Sequence, residues 1–243
     1  MNPAVERARS GPPPTLRRLL GRLLAVLLVA LAAYSGWTFC EVCWLRWFNP
    51  GTTSFMQDGL RRLQARYPEA RLQHRWVPYE RISINLKRAV IAAEDQKFLE
   101  HDGFDVEEMQ KAYVKNLRSG RVRRGGSTIS QQLAKNLFLS PPRTYLRKIH
   151  EAVITLMLEH VLGKRRILEL YLNVIEWGEG IYGAEAAAEH YYGEAAADLD
   201  PEEAARLAAM IPQPRDYTNN PRTPYLDQQT DVLLDEMDRV RVP

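Results

Sequence analysis

Residues 23–40 contain no formal charge, and they follow a head carrying Arg7, Arg9, Arg17, Arg18 and Arg22 against the single acid Glu6. No other feature limits the fold as strongly. The run approaches the ~20 residues that a helix needs to cross a bilayer core. Trp37, Trp44 and Trp47 gather at its far end, where aromatic rings favour the headgroup level. A buried core helix would have no use for such flanks. A cleaved signal peptide is the stronger rival, because Ala30-Leu31-Ala32 has the small-residue spacing of a cleavage site. The apolar run continues beyond that point, which favours an uncleaved anchor. By the positive-inside rule the arginines hold the N-terminus in the cytoplasm and send the remainder outside. The chain is therefore read as a disordered tail over 1–22, a transmembrane anchor over 23–43, a membrane-proximal segment over 44–75 and a domain over 76–243.

The formal charge of +3 hides a split, since the first 22 residues contribute +4 and leave the rest at −1. A near-neutral body does not suit a nucleic-acid binder, so no nucleic-acid partner is expected. Cys40 and Cys43 form a lone CxxC at the edge of the apolar run. Without a second pair it is poor evidence for a metal, and the two read as small apolar residues.

Beyond Trp76 the apolar spacing is helical almost throughout, which predicts an all-α domain. A helix is expected around Ser54–Arg66, then one over Leu86–Leu99 and one over Val106–Leu117. The next begins at Thr128, which has capping-box spacing with Gln131, and runs to about Leu139. Another spans Thr144–Leu162 and stops at Gly163, a suitable C′ residue. Further helices follow from Lys164 to before Gly178, after Gly183, and over Pro201–Met210.

Between Met109 and His150 there is no Asp or Glu, while Lys111, Lys115, Arg118, Arg121, Arg123, Arg124, Lys135, Arg143, Arg147 and Lys148 all fall there. Such a strip calls for an anion, most simply phosphate. Two acids bracket it. Glu94, placed at helical spacing with Val90 and Phe98, loses solvation on a largely apolar helix, which raises a carboxyl toward the range of a useful base. Asp95 has a similar setting. Glu151 follows Arg147 and Lys148 by four and three residues, so cations share its helical face. Gln131 and Lys135 share a face of the preceding helix. Gly125-Gly126-Ser127-Thr128 at that helix's start offers N–H groups and hydroxyls for an anion. An isolated acid on a helix is commonly a cap or an ion-pair partner, and His101, His150 and His160 have no metal-ligand spacing. Together the residues point to transfer of a phosphate-linked sugar.

At these positions the chain resembles glycosyltransferase family 51, the peptidoglycan glycosyltransferases. Glu94 to Gly103 fits that family's EDxxFxxHxG motif. Gly125 to Gln132 fits GGSTITQQ, with Ser130 in place of a threonine. Arg147 to Glu151 fits RKxxE, and Lys164, Ile167, Leu168, Glu169, Tyr171, Leu172 and Asn173 resemble the fourth motif. Gly178, Gly180, Gly183, Ala187, Tyr191 and Gly193 resemble the last. The anchor and Trp76-Val77-Pro78-Tyr79 are similar to the monofunctional members from Gram-negative bacteria.

The resemblance implies a lysozyme-like helical glycosyltransferase domain with a small membrane-proximal jaw. It implies polymerisation of lipid II into β-1,4-linked glycan strands, with inversion at MurNAc C1 and release of undecaprenyl pyrophosphate. Glu94 would be the base, and Glu151 would orient the donor or assist near the pyrophosphate. Lys135 and Arg143 would face the leaving group. Asp95, Ser127, Gln131, Asn136, Arg147 and Lys148 would complete the substrate site. No protein-bound metal or other cofactor is implied, at most a divalent cation on the substrate pyrophosphate. The expected partners are lipid II, the growing glycan strand and proteins of cell division or cell-wall synthesis. The expected place is the bacterial inner membrane, single-pass, with the catalytic domain periplasmic.

Two other readings compete. A membrane-anchored lysozyme-like lytic enzyme also uses a glutamate on a helical fold, but has no need of the acid-free basic strip. A non-catalytic cell-wall scaffold would predict loss of the acid pair. A bifunctional enzyme would add a Ser-x-x-Lys transpeptidase motif, and no serine here is followed three residues later by lysine.

Overall fold

The computed structural model describes residues 14–119, 126–139 and 144–243, which divide after Val42 into two compact units. The first unit is helical from its first described residue. Helix α1 (Pro14–Trp44) is 31 residues long, begins in this unit and closes two residues into the second. At ~1.5 Å per residue it measures about 46 Å, more than the ~30 Å of a hydrocarbon core. Its apolar side chains, among them Leu23, Leu27, Val29 and Leu31, are mostly exposed, and Val42 near its end is buried. Arg17, Arg18 and Arg22 lie on this helix, so the last part of the expected disordered tail is ordered instead. Leu and Arg dominate residues 16–24, and both favour helix where no Gly or Pro cluster interrupts them. Residues 1–13 of that tail lie outside the described residues.

The second unit is built from helices α2 (Ser54–Gln64), α3 (Ile84–Glu94), α4 (Val106–Ser119), α5 (Ile129–Phe138), α6 (Tyr145–Val161) and α7 (Lys164–Val174). They are followed by α8 (Ala184–Tyr192), α9 (Pro201–Met210), the short α10 (Pro214–Tyr217) and α11 (Pro224–Met237). Two packing groups form the core. Helix α5 lies against α2, α6 and α7, while α3 lies against α9 and α11, which also pack on each other. Leu86, Val90, Ile129, Leu133, Ile154, Leu158, Ile167 and Tyr171 are fully buried within them.

The domain is helical as expected, with one small sheet added. Strands β1 (Gln73–His74), β2 (Glu176–Gly178) and β3 (Ile181–Tyr182) take the order β1-β3-β2, with β1 parallel and β2 antiparallel to β3. Gly183 ends this hairpin at φ +84°, and a Cβ there would stand 2.8 Å from the Asn173 carbonyl oxygen. Only glycine fits both demands. Asn173 in turn ties the segment that follows β1 to α7, since its side chain accepts from Val77 N and donates to the Val77 carbonyl, both at 3.0 Å.

Two boundaries differ from the sequence reading. Helix α3 ends at Glu94, five residues before Leu99, and residues 95–103 turn instead. Phe98 therefore shares no helical stripe with Glu94, although it is fully buried. Gly163 is not a left-handed C′ residue; it is the extended N-cap of α7 at φ −76°. The Thr128–Gln131 capping box is present at the start of α5, and Thr144 caps α6 by accepting from Arg147 N.

Candidate active site

The site begins with the residue that stops α3. Asp95 leaves helical conformation, with φ −167° and ψ 72°, and its carboxylate is captured by two distant partners. Oδ2 accepts from the Ile129 amide at 3.0 Å, and Oδ1 accepts from His101 Nε2 at 2.9 Å. The other ring nitrogen, Nδ1, accepts from Gly103 N at 3.1 Å, which assigns the ring proton to Nε2. Gly103 stands at φ +94°, where an added Cβ would lie 2.8 Å from Thr155 Cγ2. Its carbonyl accepts from the Thr128 hydroxyl at 2.7 Å. Loop 95–103 is thus stitched to the first turn of α5 by side chains that satisfy orphan helix donors. Lys164 secures the far side, donating to the His101 carbonyl at 2.6 Å and to Glu159 Oε1 at 2.7 Å.

Fixing Asp95 fixes its neighbour. Glu94 is half-buried by exposed area, yet its carboxylate lies deep among protein atoms, and this depth governs its solvation. Burial pushes its pKa up; the Gln132 hydrogen bond and the Lys135 charge oppose that shift, and Asp95 adds to it. Gln132 Nε2 donates to Glu94 Oε2 at 2.6 Å. Behind Gln132 lies Tyr171 of α7, whose hydroxyl donates to Gln132 Oε1 at 3.0 Å.

Lys135 lies one turn further along α5, with its ammonium 5.5 Å from the Phe55 ring centroid. Burial lowers its pKa, while the charges of Glu151 and Glu94 raise it. It is therefore a cation held between two acids. The Glu151 side chain is 5 % exposed; it accepts from Arg147 Nη1 at 3.2 Å and from the Lys148 ammonium. Arg147 Nε is buried without a hydrogen-bond partner among the described residues. This leaves one guanidinium donor uncommitted beside a carboxylate paired at both oxygens.

The other residues singled out in the sequence are distributed unevenly. Gln131 is buried in the capping box, its Oε1 accepting from Thr128 N at 3.0 Å, so its side chain is spent on the helix end. The side chain that reaches Glu94 belongs to its neighbour Gln132. Asn136 is buried and donates to the Gln132 carbonyl at 2.8 Å. Ser127 is exposed at the mouth of α5. Asp95 faces the loop and α5 rather than open space. Arg143, together with Arg121, Arg123, Arg124 and Gly125 of the basic loop, lies outside the described residues. Among the described residues no cluster of three His, Cys, Asp or Glu is arranged to hold a metal.

Gln132 and Tyr171 are the residues that sequence reasoning passed over. A signal for the first existed: a capping box consumes the Gln at its fourth position, so the next Gln is the one left for other work.

The two helices beside the site carry apolar faces left exposed by the described residues. Val106, Met109, Tyr113 and Leu117 line one side of α4, and Tyr145, Ile149, Val153 and Leu156 one side of α6. Tyr145 is 94 % exposed. The spacing of three and four residues makes each set a single stripe.

Comparison with known proteins adds an independent finding. A family profile described as Transglycosylase matches residues 61–238. The chain is 53% identical over 227 residues to the biosynthetic peptidoglycan transglycosylase of Nitrosospira multiformis, covering 93% of this chain and 99% of that one. It is 54% identical over 230 residues to the protein of that name from Dechloromonas aromatica, covering 93% and 100%. It is 56% identical over 229 residues to that from Azoarcus sp. strain BH72, covering 94% and 99%.

Proposed function

The chain belongs to the transglycosylase family and is a peptidoglycan glycosyltransferase of cell-wall synthesis, and we propose that Glu94 is the base of its reaction. The observation that carries this reading is the half-buried Glu94, its carboxylate raised in pKa by burial and held in the field of Lys135, a cation of the basic strip. Glu94 removes the proton from the 4-hydroxyl of the acceptor GlcNAc of lipid II. The freed oxygen bonds to C1 of the donor MurNAc from the face opposite its pyrophosphate. The C1–oxygen bond to the pyrophosphate breaks, so the configuration inverts and a β-1,4 link forms. Charge gathers on the departing undecaprenyl pyrophosphate, where preorganised cations count most. Lys135, Arg147 and Arg143 supply them. Glu151 holds Arg147 and Lys148 in place for that task. A divalent cation on the pyrophosphate is compatible with this arrangement, and no step requires one.

The same protein carries one N-terminal helix long and apolar enough to span a membrane, consistent with a membrane anchor. Its arginine-rich head supports a cytoplasmic N-terminus at the inner membrane and a periplasmic catalytic domain. The bare stripes on α4 and α6 suit contact with lipid, as a substrate with a polyprenyl tail requires. Partners of the division or wall-synthesis machinery would meet it on the periplasmic side.

Polymerisation of labelled lipid II by the full-length protein in detergent tests the reading. Glu94→Gln is expected to lose activity by at least ~10²-fold, the usual contribution of a general base. Lys135→Ala is expected to fall severely as well. Full polymer yield from Glu94→Gln would overturn the assignment.

A further inference from the structure

We infer that Tyr171, acting through Gln132, is a positioning residue that sets the orientation and basicity of Glu94. This rests on the reading of Glu94 as the base. The three side chains come from three helices: Tyr171 from α7, Gln132 from α5 and Glu94 from the end of α3. An ionised carboxylate only accepts hydrogen bonds, so the Gln132 amide must turn its NH2 toward Glu94. Its carbonyl oxygen is thereby directed at Tyr171, which must donate. The two bonds, 3.0 Å from the phenol to Gln132 Oε1 and 2.6 Å from Gln132 Nε2 to Glu94 Oε2, run in one direction.

The phenol suits this duty. Tyr171 is fully buried, and burial together with the charges of Glu94 and Asp95 holds its pKa well above the usual tyrosine value. It therefore remains protonated, and a donor, through neutral pH. Gln132 cannot relieve a mismatch by moving with its helix. The start of α5 is fixed by Asp95 through Ile129 N and by the Thr128 cap. The amide can rotate, and that is the freedom the Tyr171 hydroxyl removes. Without it, an amide flip would bring oxygen against oxygen at Glu94.

The other charged groups acting on Glu94 are Lys135 from α5 and Asp95 beside it. Helix α11 packs on α3, but its Glu236 accepts from Gln96 and Asp238, its C-cap, pairs with Arg88. Helix α9 also packs on α3, and its Arg206 is engaged by Glu202 and by Asp227 of α11. Losing the Gln132 donor removes a bond to the charged form of Glu94 with no replacement, which raises its pKa.

The test is the pH profile of lipid II polymerisation for full-length Tyr171→Phe, Gln132→Met and the double variant, with Glu94→Gln alongside. Tyr171→Phe is expected to move the acidic limb up by about one pH unit, with the plateau rate recovered at higher pH and KM unchanged. Gln132→Met is expected to move it at least as far. The double variant should match Gln132→Met alone, because both act through one path. A structural role for Tyr171 would lower activity at all pH values without moving the limb, and that result overturns the inference. If Tyr171→Phe fails to fold, Gln132→Met still decides, since an unmoved limb there breaks the path at its centre. An inactive Glu94→Gln with unmoved limbs overturns the relay and leaves the base in place. An active Glu94→Gln overturns the base itself.

Discussion

Asp95 and Ile129 are 34 positions apart in sequence, yet the Ile129 amide donates to Asp95 Oδ2 at 3.0 Å. That bond satisfies an orphan donor at the start of α5 and ends α3 at the same time. It holds Glu94 against Gln132 and Lys135, so a buried acid that touches nothing reactive governs the one that does. The Asp95 side chain is 2 % exposed, so the bonds it accepts are shielded from solvent.

Asp95→Ala strands two buried donors, the Ile129 amide and His101 Nε2. Their combined loss costs about 3 kcal/mol. For a domain of this size the midpoint of thermal unfolding should fall by about 6–12 °C. A fall of less than ~2 °C in full-length protein would show that the loop is held by other contacts.

Glu94 gives a prediction with opposite signs for activity and stability. Its folded pKa lies above the 4.5 of an unperturbed glutamate, so the folded state binds its proton more tightly than the unfolded state does. Ionised Glu94 therefore costs stability above the folded pKa, and the cost disappears as pH falls toward 4.5. Glu94→Gln should unfold at a higher temperature than the parent at pH 8, with the difference closing at acid pH. The activity of the parent should decline as pH falls through the same raised pKa. Equal unfolding temperatures at pH 8 would contradict the burial argument.

Arg147 and Lys148 both bind Glu151, but their exposures separate them. The Arg147 side chain is 15 % exposed and that of Lys148 48 %. Arg147→Leu leaves a buried carboxylate short of its better-shielded partner and should cost about 2 kcal/mol. Lys148→Leu removes a solvent-screened pair worth less than about 1 kcal/mol. Denaturant unfolding of the two variants checks the order, and the reverse order would mean that Lys148 carries the pair.

Protease added to spheroplasts should cut the domain that follows α1 while leaving cytoplasmic proteins intact. Protection of the domain would reverse the orientation argued from the arginine-rich head.

Much of this was legible locally. The Thr128–Gln131 spacing marked the start of α5, and the spacing of Arg147, Lys148 and Glu151 anticipated their contacts because all three lie on one helix. The end of α3 was not legible. Apolar residues continue at helical spacing through Phe98 and Leu99, and what breaks the helix is the tertiary capture of Asp95 by Ile129 and His101. The same limit applies in part to Gln131 and Gln132. Adjacent in sequence and identical in chemistry, they are separated only by the cap that occupies the first and by the position of Tyr171 on another helix. The β2–β3 hairpin was concealed by its brevity, its glycines being readable as turn residues and its strands too short for any alternation to register.

Helix α6 buries Glu151 on one side and leaves Tyr145, Ile149, Val153 and Leu156 bare on the other. A substrate whose tail stays among lipids can thus offer its headgroup to the inner side of the helix without leaving the bilayer. The encounter then becomes a search in two dimensions, governed by the number of substrate molecules per unit area of membrane. Turnover should follow their surface density in a vesicle and be indifferent to dilution of the vesicles themselves.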